Sequence, residues 1–276
     1  MTSLPIVIRD ITDLAGCRAA VQVQEAVWGR DGDTVPASLL SVSIKRGGIL
    51  IGAFDGSDLA GFVWSMPAVR DGQPTQWSHM LGVRPAERRS GLGATLKRAQ
   101  RDRAIALGVE LIEWTFDPLQ AANAHLNIAR LGAISSTYVL DAYGEMAGPL
   151  HRGTPTDRLI AEWWVSRPHV ERRLSRASLL TARAADVVNA EAVIRTRQSG
   201  EWVECAGVDQ DVEAPRVVVA VPPRFTEMQR IAPEIALAWR LAVRAAMSSR
   251  LASNYRVVDF FFNRDSGGGD YLLARQ

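Results

Sequence analysis

The stretch with the clearest chemical character runs from residue 79 to residue 94. An apolar segment ends at a proline, a basic turn with Arg88 and Arg89 follows, and Gly91 and Gly93 open a helix. Backbone N–H groups in the first turn of a helix have no acceptor inside the helix, and the helix dipole places positive charge behind them. Two arginines beside such amides favour an anion, and a pyrophosphate would suit the site. The sequence therefore predicts a phosphate-binding strand–turn–helix.

The spacing Arg88-x-x-Gly91-x-Gly93 resembles the acyl-coenzyme A signature of the GNAT acyltransferase superfamily. The resemblance implies that acetyl-CoA or another acyl-CoA is the co-substrate and that the turn holds its pyrophosphate. It also implies that the strand before the turn pairs its backbone with the pantetheine arm. A surface connection with solvated arginines is the alternative. The residues implied to hold coenzyme A here are Leu81, Gly82, Val83, Arg88, Arg89, Ser90, Gly91, Leu92, Gly93 and Ala94.

Gly82 lies within this strand, where glycine weakens pairing and commonly marks a bulge or a close backbone approach. In the GNAT superfamily, a bulge here separates two strands and admits the thioester, and a backbone amide can then bind the thioester carbonyl. We therefore expect a bulge at Gly82. A glycine tolerated in a regular strand is the alternative.

His79 is the titratable residue best suited to catalysis. If strand alternation holds, Trp77, His79 and Leu81 lie on one face. An attacking amine must be neutral, and histidine titrates near neutral pH, so His79 could accept its proton directly or through a water. The resemblance supports this role, because several GNAT enzymes place a base on this strand. A core histidine bonded to a carbonyl is the alternative.

A predicted helix over 119–131 ends in Arg130–Leu131–Gly132–Ala133, which resembles the second GNAT motif. Asn123 and Asn127 are four residues apart and should share a face. The resemblance implies that Asn123 binds the pantetheine amides and that Asn127 lies at the thiol end, as a candidate catalytic residue. Asn127 as a plain surface residue is the alternative.

The general acid of many GNAT enzymes is a tyrosine four residues before the glycine of this motif, where this chain has Ile128. Tyr138 or Tyr143 could protonate the leaving thiolate instead, or the thiolate could leave without an acid. We take Tyr143 as the candidate catalytic tyrosine.

The long loop from Tyr143 ends in Asp157 and Arg158 at the start of a strand. An arginine beside a carboxylate could bind the carboxylate of an amino-acid-like acceptor or of a diacid acyl group. Asp157 and Arg158 are therefore the candidate substrate-binding residues. A structural ion pair that caps the loop is the alternative.

The elements that would position these residues alternate as β-α-α-β-β-β-α-β-α-β-β over residues 1–166. Crossover helices between strands imply a partly parallel sheet. This order resembles the GNAT fold, a mixed α/β (α+β) fold with a central twisted sheet of about seven strands flanked by helices. Residues 167–276 predict a smaller C-terminal β-α-β-β unit with its own core, of unknown role. Its long helix contains Pro233, which either kinks it or starts its main body.

Composition limits the other function classes. The chain has 276 residues, 47% hydrophobic and 22% charged, which is ordinary for a globular protein of two units. A net charge of +2 is too small to indicate nucleic acid, and no apolar run reaches the roughly 18 residues of a membrane span. Cys17 and Cys205 lack metal or disulfide spacing, and the N-terminus lacks a signal-peptide pattern. We expect a cytoplasmic protein without a metal.

The sequence as a whole predicts an acyl-CoA-dependent N-acyltransferase with an acetyl or succinyl donor. Transfer would be direct, because no cysteine or serine stands with a histidine in a nucleophile arrangement. The segments FDPLQAANAHLN and GTPTDR resemble a long bacterial GNAT branch, in which some relatives acylate amino acids. This favours a small amine acceptor. A protein lysine or N-terminal acyltransferase and a non-catalytic acyl-CoA sensor or assembly module are the alternatives, and a homodimer stays open.

Overall fold

The structure is a computed structural model that describes residues 5–29, 34–87, 91–144, 154–175 and 190–276. The described residues form a mixed α+β protein in which most strand pairs are antiparallel. Their contacts divide the chain into two compact units. The first unit is Met1–Trp114 with Trp164–Ser166, and the second is Thr115–Trp163 with Arg167–Gln276.

The first unit is built on strands that follow one another in both sequence and space, in the order β1-β2-β3-β4-β5. Neighbouring strands are antiparallel except for the parallel pair β4 and β5. The elements are β1 (Val7–Asp10), α1 (Leu14–Trp28), α2 (Ala37–Ile44), β2 (Ile49–Asp55), β3 (Asp58–Arg70), β4 (Gln73–Val83), a 3₁₀ turn (Pro85–Glu87), α3 (Leu92–Ala106) and β5 (Leu111–Phe116), whose last two residues belong to the second unit.

Helices α1 and α2 cover one face of this sheet. The helix α1 begins after Asp13, whose carboxylate accepts a hydrogen bond from the Gly16 N–H at 2.7 Å and so caps the helix. Cys17, Leu40 and Trp64 are among the side chains that form the buried cluster between these helices and the strands. Burial of these apolar groups is the main favourable contribution to folding of this layer.

The second unit contains a run of strands in the order β7-β6-β12-β13-β11-β8 and a separate β9–β10 hairpin. The pair β11 and β8 is parallel, whereas the other registers are antiparallel. The elements are α4 (Ala121–Ala124), which continues as a π-helix (His125–Arg130), β6 (Ile134–Val139), β7 (Arg158–Trp164), α5 (Pro168–Leu174), β8 (Glu191–Ala192), β9 (Ile194–Ser199), β10 (Trp202–Val208), β11 (Arg216–Val221), α6 (Phe225–Ile231), α7 (Pro233–Ala252), β12 (Tyr255–Phe262) and β13 (Gly269–Arg275).

The C-terminal residues pack with residues 115–163 inside this second unit. Val257 of β12 pairs with Ser135 of β6, and the Arg173 guanidinium lies 2.5 Å from the Asp259 carboxylate. Strand β12 therefore has β6 as a neighbour in addition to β13. The division at residue 166 into two domains stays a prediction.

Three local features differ from or refine the expected elements. Pro233 starts α7, in agreement with the preference of proline for the first helical turn. The helix predicted over 119–131 is instead one α-helical turn followed by the π-helix. The strands β8, β9 and β10 were not expected from the sequence: β8 and β9 are short or largely polar, and β10 lacks a regular alternation of apolar and polar residues.

No helix in the described part of the chain is long and apolar enough to cross a membrane. The described residues also contain no group of three or more histidine, cysteine or carboxylate side chains arranged to hold a metal ion.

Candidate functional site

The register between β3 and β4 breaks at His79. Trp64 pairs with Met80 and Ser65 pairs with Ser78, which leaves His79 as an extra residue on β4. A β-bulge of this kind bends the strand and turns a side chain out of its regular position. The bulge expected in this strand is therefore present, but at the candidate base itself.

Gly82 is not the bulged residue, which corrects the expectation from sequence. It pairs in regular register with Phe62. A Cβ atom at Gly82 would lie 3.0 Å from the Phe62 ring and 3.2 Å from the Trp28 ring. Glycine fits this position because two aromatic rings approach the backbone closely, and a longer side chain would displace them.

The bulge also changes which side chains share a face of β4. The His79 ring lies 5.3 Å from the Trp64 ring in an edge-to-face arrangement, on the side of the sheet that carries α1 and α2. Leu81 points to α3, because a Cβ atom at Gly93 would lie 3.6 Å from its side chain. The expectation that Trp77, His79 and Leu81 share a face is wrong, since one extra residue reverses the alternation.

The backbone of Leu81 and Val83 is directed away from β3. The Arg84 N–H donates to the Ala60 carbonyl at 2.9 Å, in register with the β3–β4 pairs. In an antiparallel ladder, hydrogen-bonded and non-hydrogen-bonded pairs alternate. Gly82 therefore bonds to β3, and the N–H and C=O groups of Leu81 and Val83 point to the opposite edge of β4.

That edge is open along the second half of β4. Among the described residues, the ladder between β4 and β5 consists of the pairs Gln76–Ile112 and Trp77–Glu113. The described pairs of β4 with β5 end at Trp77 and Glu113, so the outward-facing backbone groups of Leu81 and Val83 have no strand partner among the described residues. We refer to this unpaired edge of β4 as the gap. A polar extended ligand could pair with this edge as an added strand does.

The turn after β4 is described up to Glu87 and again from Gly91. Arg88, Arg89 and Ser90 lie outside the described residues, so their contacts with a pyrophosphate stay predictions. Gly91 precedes α3 with φ of +82°, a left-handed conformation that favours glycine. A phosphate group would fit the first turn of α3, where Leu92, Gly93 and Ala94 begin the helix.

Both glycines of the turn border space that the described protein leaves open. A Cβ atom at Gly91 would meet no described atom within 4 Å, and one at Gly93 would meet only the Leu81 side chain at 3.6 Å. Packing against the described residues therefore does not explain Gly93, whereas a ligand against the helix terminus would.

The electrostatic state of His79 suits a base. Desolvation by surrounding protein atoms lowers the pKa of His79 below its ordinary value of 6.5. The imidazole is therefore neutral at pH 7 and can accept a proton.

In the second unit, the two candidate asparagines differ in environment. Asn123 is exposed in the α-helical turn, whereas Asn127 is 5% exposed in the π-helix. The i→i+5 bonding of a π-helix widens the turn, so the four-residue spacing no longer keeps both residues on one face. π-Helical turns occur frequently at functional sites, and this one contains Asn127 and Ile128.

Tyr143 and Arg158 lie together in the second unit. The Tyr143 hydroxyl forms a 2.7 Å hydrogen bond with the Thr115 hydroxyl, and the side chain is half exposed. The Arg158 guanidinium carbon lies 5.1 Å from the Tyr143 ring centre, and its Nη1 donates to the backbone carbonyl of Asp157. The Tyr143 hydroxyl therefore lies beside Thr115 near the end of β5, and the Arg158 cation lies beside the Tyr143 ring.

The Asp157 carboxylate is paired with Arg244, not with Arg158. It is fully buried and accepts bonds from Arg244 at 2.8 and 2.6 Å, from the Tyr138 hydroxyl at 3.0 Å and from the Asp141 N–H at 3.0 Å. Burial disfavours its charge, but the donors outweigh this and hold the pKa of Asp157 below its usual 3.8. With four donors already bound, Asp157 connects Tyr138 and Asp141 to Arg244 and is not available to a substrate.

Tyr138 is also committed to structure. Its hydroxyl donates to Asp157, and burial together with that carboxylate raises the pKa of Tyr138 far above its ordinary value. Of the two tyrosines considered as general acid, Tyr143 is the one with an exposed ring.

Sequence reasoning missed a second buried ion pair. Arg240 of α7 binds Asp117 through two hydrogen bonds of 2.8 Å, and its side chain is 1% exposed. Arg240 and Arg244 are four residues apart on α7 and therefore share a face. The residues of α7 from 235 to 247 are apolar except for these two arginines, and this was the signal that could have indicated buried carboxylate partners.

No family model matches the sequence, and no curated protein matches it significantly. Solved structures do resemble the chain. One is a candidate acetyltransferase from Acinetobacter baylyi ADP1, at 16% identity and a TM-score of 0.50, covering 61% of this chain and 96% of that one. A second is yncA, a candidate acetyltransferase from Salmonella typhimurium solved with acetyl-CoA, at 19% identity and a TM-score of 0.49, covering 59% and 95%.

A third similar structure is a candidate GNAT-family acetyltransferase from Desulfovibrio desulfuricans, at 17% identity and a TM-score of 0.45, covering 59% of this chain and 100% of that one. The likeness to the Acinetobacter structure is one of fold, since the identity is low. The predicted mixed α+β fold, a sheet flanked by helices, is confirmed, and it is similar to the fold of the Acinetobacter structure.

Proposed function

We propose that this protein is an N-acyltransferase that transfers an acetyl or succinyl group from acyl-CoA directly to a small amine. The observation that carries the proposal is the open edge of β4. Leu81 and Val83 turn their backbone groups toward the gap beside β5, and the same strand leads to the glycine turn at the start of α3. The polar pantetheine arm and the anionic pyrophosphate of coenzyme A match these two parts in that order.

In the proposed reaction, the amine nitrogen attacks the thioester carbonyl carbon. The new N–C bond forms as the C–S bond breaks, and coenzyme A leaves as a thiolate. The proton released by the amine passes to the neutral imidazole of His79, directly or through a water. A backbone amide in the gap would stabilise the negative charge that develops on the carbonyl oxygen.

The faces of β4 support a ternary complex. His79 lies on the α1 and α2 face, whereas Leu81 lies on the α3 face next to Gly93. An acceptor at His79 would therefore approach the strand from the side opposite to α3. This separation is consistent with direct attack without a covalent enzyme intermediate.

The roles proposed for the second unit follow from the GNAT resemblance. Asn123 would bind the pantetheine amides, Asn127 would lie at the thiol end, and Tyr143 would protonate the leaving thiolate. Arg158 would bind a carboxylate of the substrate. Asp157 is removed from this set because its oxygen atoms are already bonded within the protein.

The substitution Gly93→Val tests the coenzyme site. We expect it to weaken coenzyme A binding by about 100-fold, because a branched side chain would occupy the space at the helix terminus where a phosphate binds. Isothermal titration calorimetry with coenzyme A measures the effect. The control Ala106→Val adds the same branched side chain at the exposed far end of α3 and should leave binding unchanged.

The outcomes separate the functions considered. Tight coenzyme A binding by folded Gly93→Val protein would contradict the phosphate assignment. Thiol release from acyl-CoA in the presence of small amines supports an acyltransferase with a small acceptor. Coenzyme binding without thiol release, for small amines and for peptide amines alike, would indicate a sensor and contradict the proposed catalysis.

A further inference from the structure

Lys97 is one of two lysines in the chain, and its side chain is only 2% exposed. It extends from α3 toward the sheet of the first unit. Its Nζ donates to the Ser78 hydroxyl at 2.8 Å and to the Gln100 side-chain oxygen at 3.1 Å, and it lies 3.6 Å from the Trp114 ring centre. All of these partners are neutral.

The amino group of Lys97 has no counter-charge in the described protein. No carboxylate of the described residues lies within ion-pair distance of it. Burial alone lowers the pKa of Lys97 well below 10.5, and no charged neighbour opposes the shift. A buried lysine is rare in proteins unless it is paired, because loss of hydration disfavours its charge. The position therefore suits a group that binds an anion from outside the protein.

The contacts that Lys97 of α3 makes with the sheet indicate from which direction such an anion would approach. The last pair of the β4–β5 ladder is Trp77–Glu113. The next residue on each strand, Ser78 and Trp114, is a contact of Lys97. The amino group thus lies where β4 and β5 begin to separate, at the closed end of the gap described above.

The direction of the coenzyme along β4 then determines which part of it meets Lys97. This step rests on the proposed function. From the turn at Gly91, the pantetheine arm would run past Val83 and then Leu81 toward the closed end of the gap. The acyl group is the last part of the molecule in that direction, and it would lie closest to Ser78 and Lys97.

We propose that Lys97 selects an acyl group that ends in a carboxylate, as succinyl does. The terminal carboxylate supplies the missing counter-charge at the closed end of the gap. Ser78 and Gln100 add a hydroxyl and an amide, which bond each other at 3.1 Å and hold the cluster together. An acetyl group has no charge to place there and leaves the lysine unpaired.

Binding of succinyl-CoA and acetyl-CoA to the full-length protein tests this selection, and it needs no knowledge of the acceptor. We expect succinyl-CoA to bind about 10- to 100-fold more tightly than acetyl-CoA, the range for a hydrogen bond to a charged group. In Lys97→Met the preference should disappear, with acetyl-CoA affinity unchanged. Methionine fills a similar volume, and Ser78 remains bonded to Gln100.

The control variant is Arg98→Met, which removes an exposed cation from the next position of α3 and should keep the preference. Unfolding curves of both variants show that the fold is retained. Equal affinity of the wild-type protein for the two thioesters, or a preference that survives in Lys97→Met, would overturn the proposal for Lys97 alone. Failure of coenzyme A and both thioesters to bind would instead overturn the proposed function, and the inference with it.

Discussion

The bulge leaves His79 without a pairing partner on β3, unlike its neighbours Ser78 and Met80 on β4. The ring stands beside Trp64 on the α1 and α2 face, and desolvation keeps the imidazole neutral at pH 7. Burial disfavours the charged form of both His79 and Asp157, but the buried Asp157 keeps its charge. Its charge is retained because Arg244, Tyr138 and the Asp141 backbone amide bind it.

The substitution His79→Gln tests the proposed base. We expect kcat to fall by about 10²- to 10⁴-fold, the usual contribution of a general base, with coenzyme A affinity retained. Because desolvation lowers its pKa, His79 is deprotonated through neutral pH. The wild-type rate should then fall with decreasing pH only through a pKa below 6.5, and this limb should vanish in the variant.

Thiol release followed from pH 5 to pH 8 measures both effects. The matched control is His169→Gln, since His169 bonds the Gly132 carbonyl and glutamine can keep that contact. A variant that retains the acidic limb of the wild-type profile would exclude His79 as the base.

The substitution Arg244→Met tests the buried carboxylate. Asp157 would lose its cation but stay buried, and we expect destabilisation of about 3 kcal/mol, in the range for breaking a buried ion pair. The folded-state pKa of Asp157 lies below its unfolded value, so the pair stabilises the protein above the unfolded pKa of about 3.9. This stabilisation is lost as the pH falls through the folded-state pKa.

Urea unfolding at pH 7 and at acidic pH measures the difference between wild type and variant. The control Arg256→Met removes an exposed arginine from β12 and should change the free energy of unfolding little. An equal loss in the two variants would show that Arg244 acts through general charge and not through Asp157.

At the scale of elements, α3 and β4 each have one part that packs or pairs within the fold and one part that is left open. The face of α3 toward the sheet buries Leu96, Lys97 and Gln100, whereas its first turn borders open space. The long strand β4 pairs with β5 at Gln76 and Trp77, and its later residues have no described partner on that edge. The proposed coenzyme arm would use this unpaired edge.

A matched pair of glycine substitutions tests the geometry of this helix start. Gly91→Ala should destabilise the protein by about 1 kcal/mol or more, because alanine is disfavoured at a φ of +82°. Gly93→Ala should be neutral or stabilising by up to about 1 kcal/mol, since position 93 is helical and its Cβ atom meets only ordinary contact. Thermal unfolding of both variants measures the sign of the change in stability. A change of the same sign in both would contradict the left-handed conformation of Gly91 and the helical conformation of Gly93.

At the scale of the whole molecule, the C-terminal residues complete the second unit. The helix α7 supplies both arginines that neutralise buried carboxylates, Arg240 to Asp117 and Arg244 to Asp157. The Gln229 side chain of α6 donates a hydrogen bond to the Thr154 hydroxyl, which lies shortly before Asp157 in the chain. The Tyr271 hydroxyl of β13 donates to the Pro118 carbonyl. The segments that carry Tyr143 and Arg158 are therefore supported from the C-terminal part of the chain.

Truncation after Ser166 tests this dependence. We expect the shortened chain to lose cooperative unfolding, because Asp117 and Asp157 would be left without cations and β6 without its β12 partner. Near-ultraviolet circular dichroism and size-exclusion chromatography measure the outcome. A monomeric fragment with a cooperative transition would instead support the domain boundary predicted at residue 166.

Much of the local structure followed from the sequence because it depends on neighbours in the chain. Asp13 caps α1 through an amide three residues away, and Pro233 starts α7 because its ring fits the first helical turn. Gly91 adopts the left-handed conformation where a turn precedes a helix. The strand–turn–helix was predictable for the same reason, since dihedral preference and apolar period act over short range. The overall fold was expected from the resemblance of the motif and of the element order to the GNAT superfamily.

The partners of buried groups were decided only by the tertiary structure. The bulge was expected at Gly82 and is found at His79, because the register depends on what packs on both faces of β4. Asp157 pairs with an arginine 87 residues away instead of its neighbour Arg158. Several arginines could have paired with Asp157, and only the folded chain brings one of them to the buried oxygen atoms. By itself, the sequence determined the local strand–turn–helix from which the phosphate site is predicted, and the tertiary structure decided which buried groups are already bonded within the protein and so unavailable for the proposed acyl and acceptor contacts.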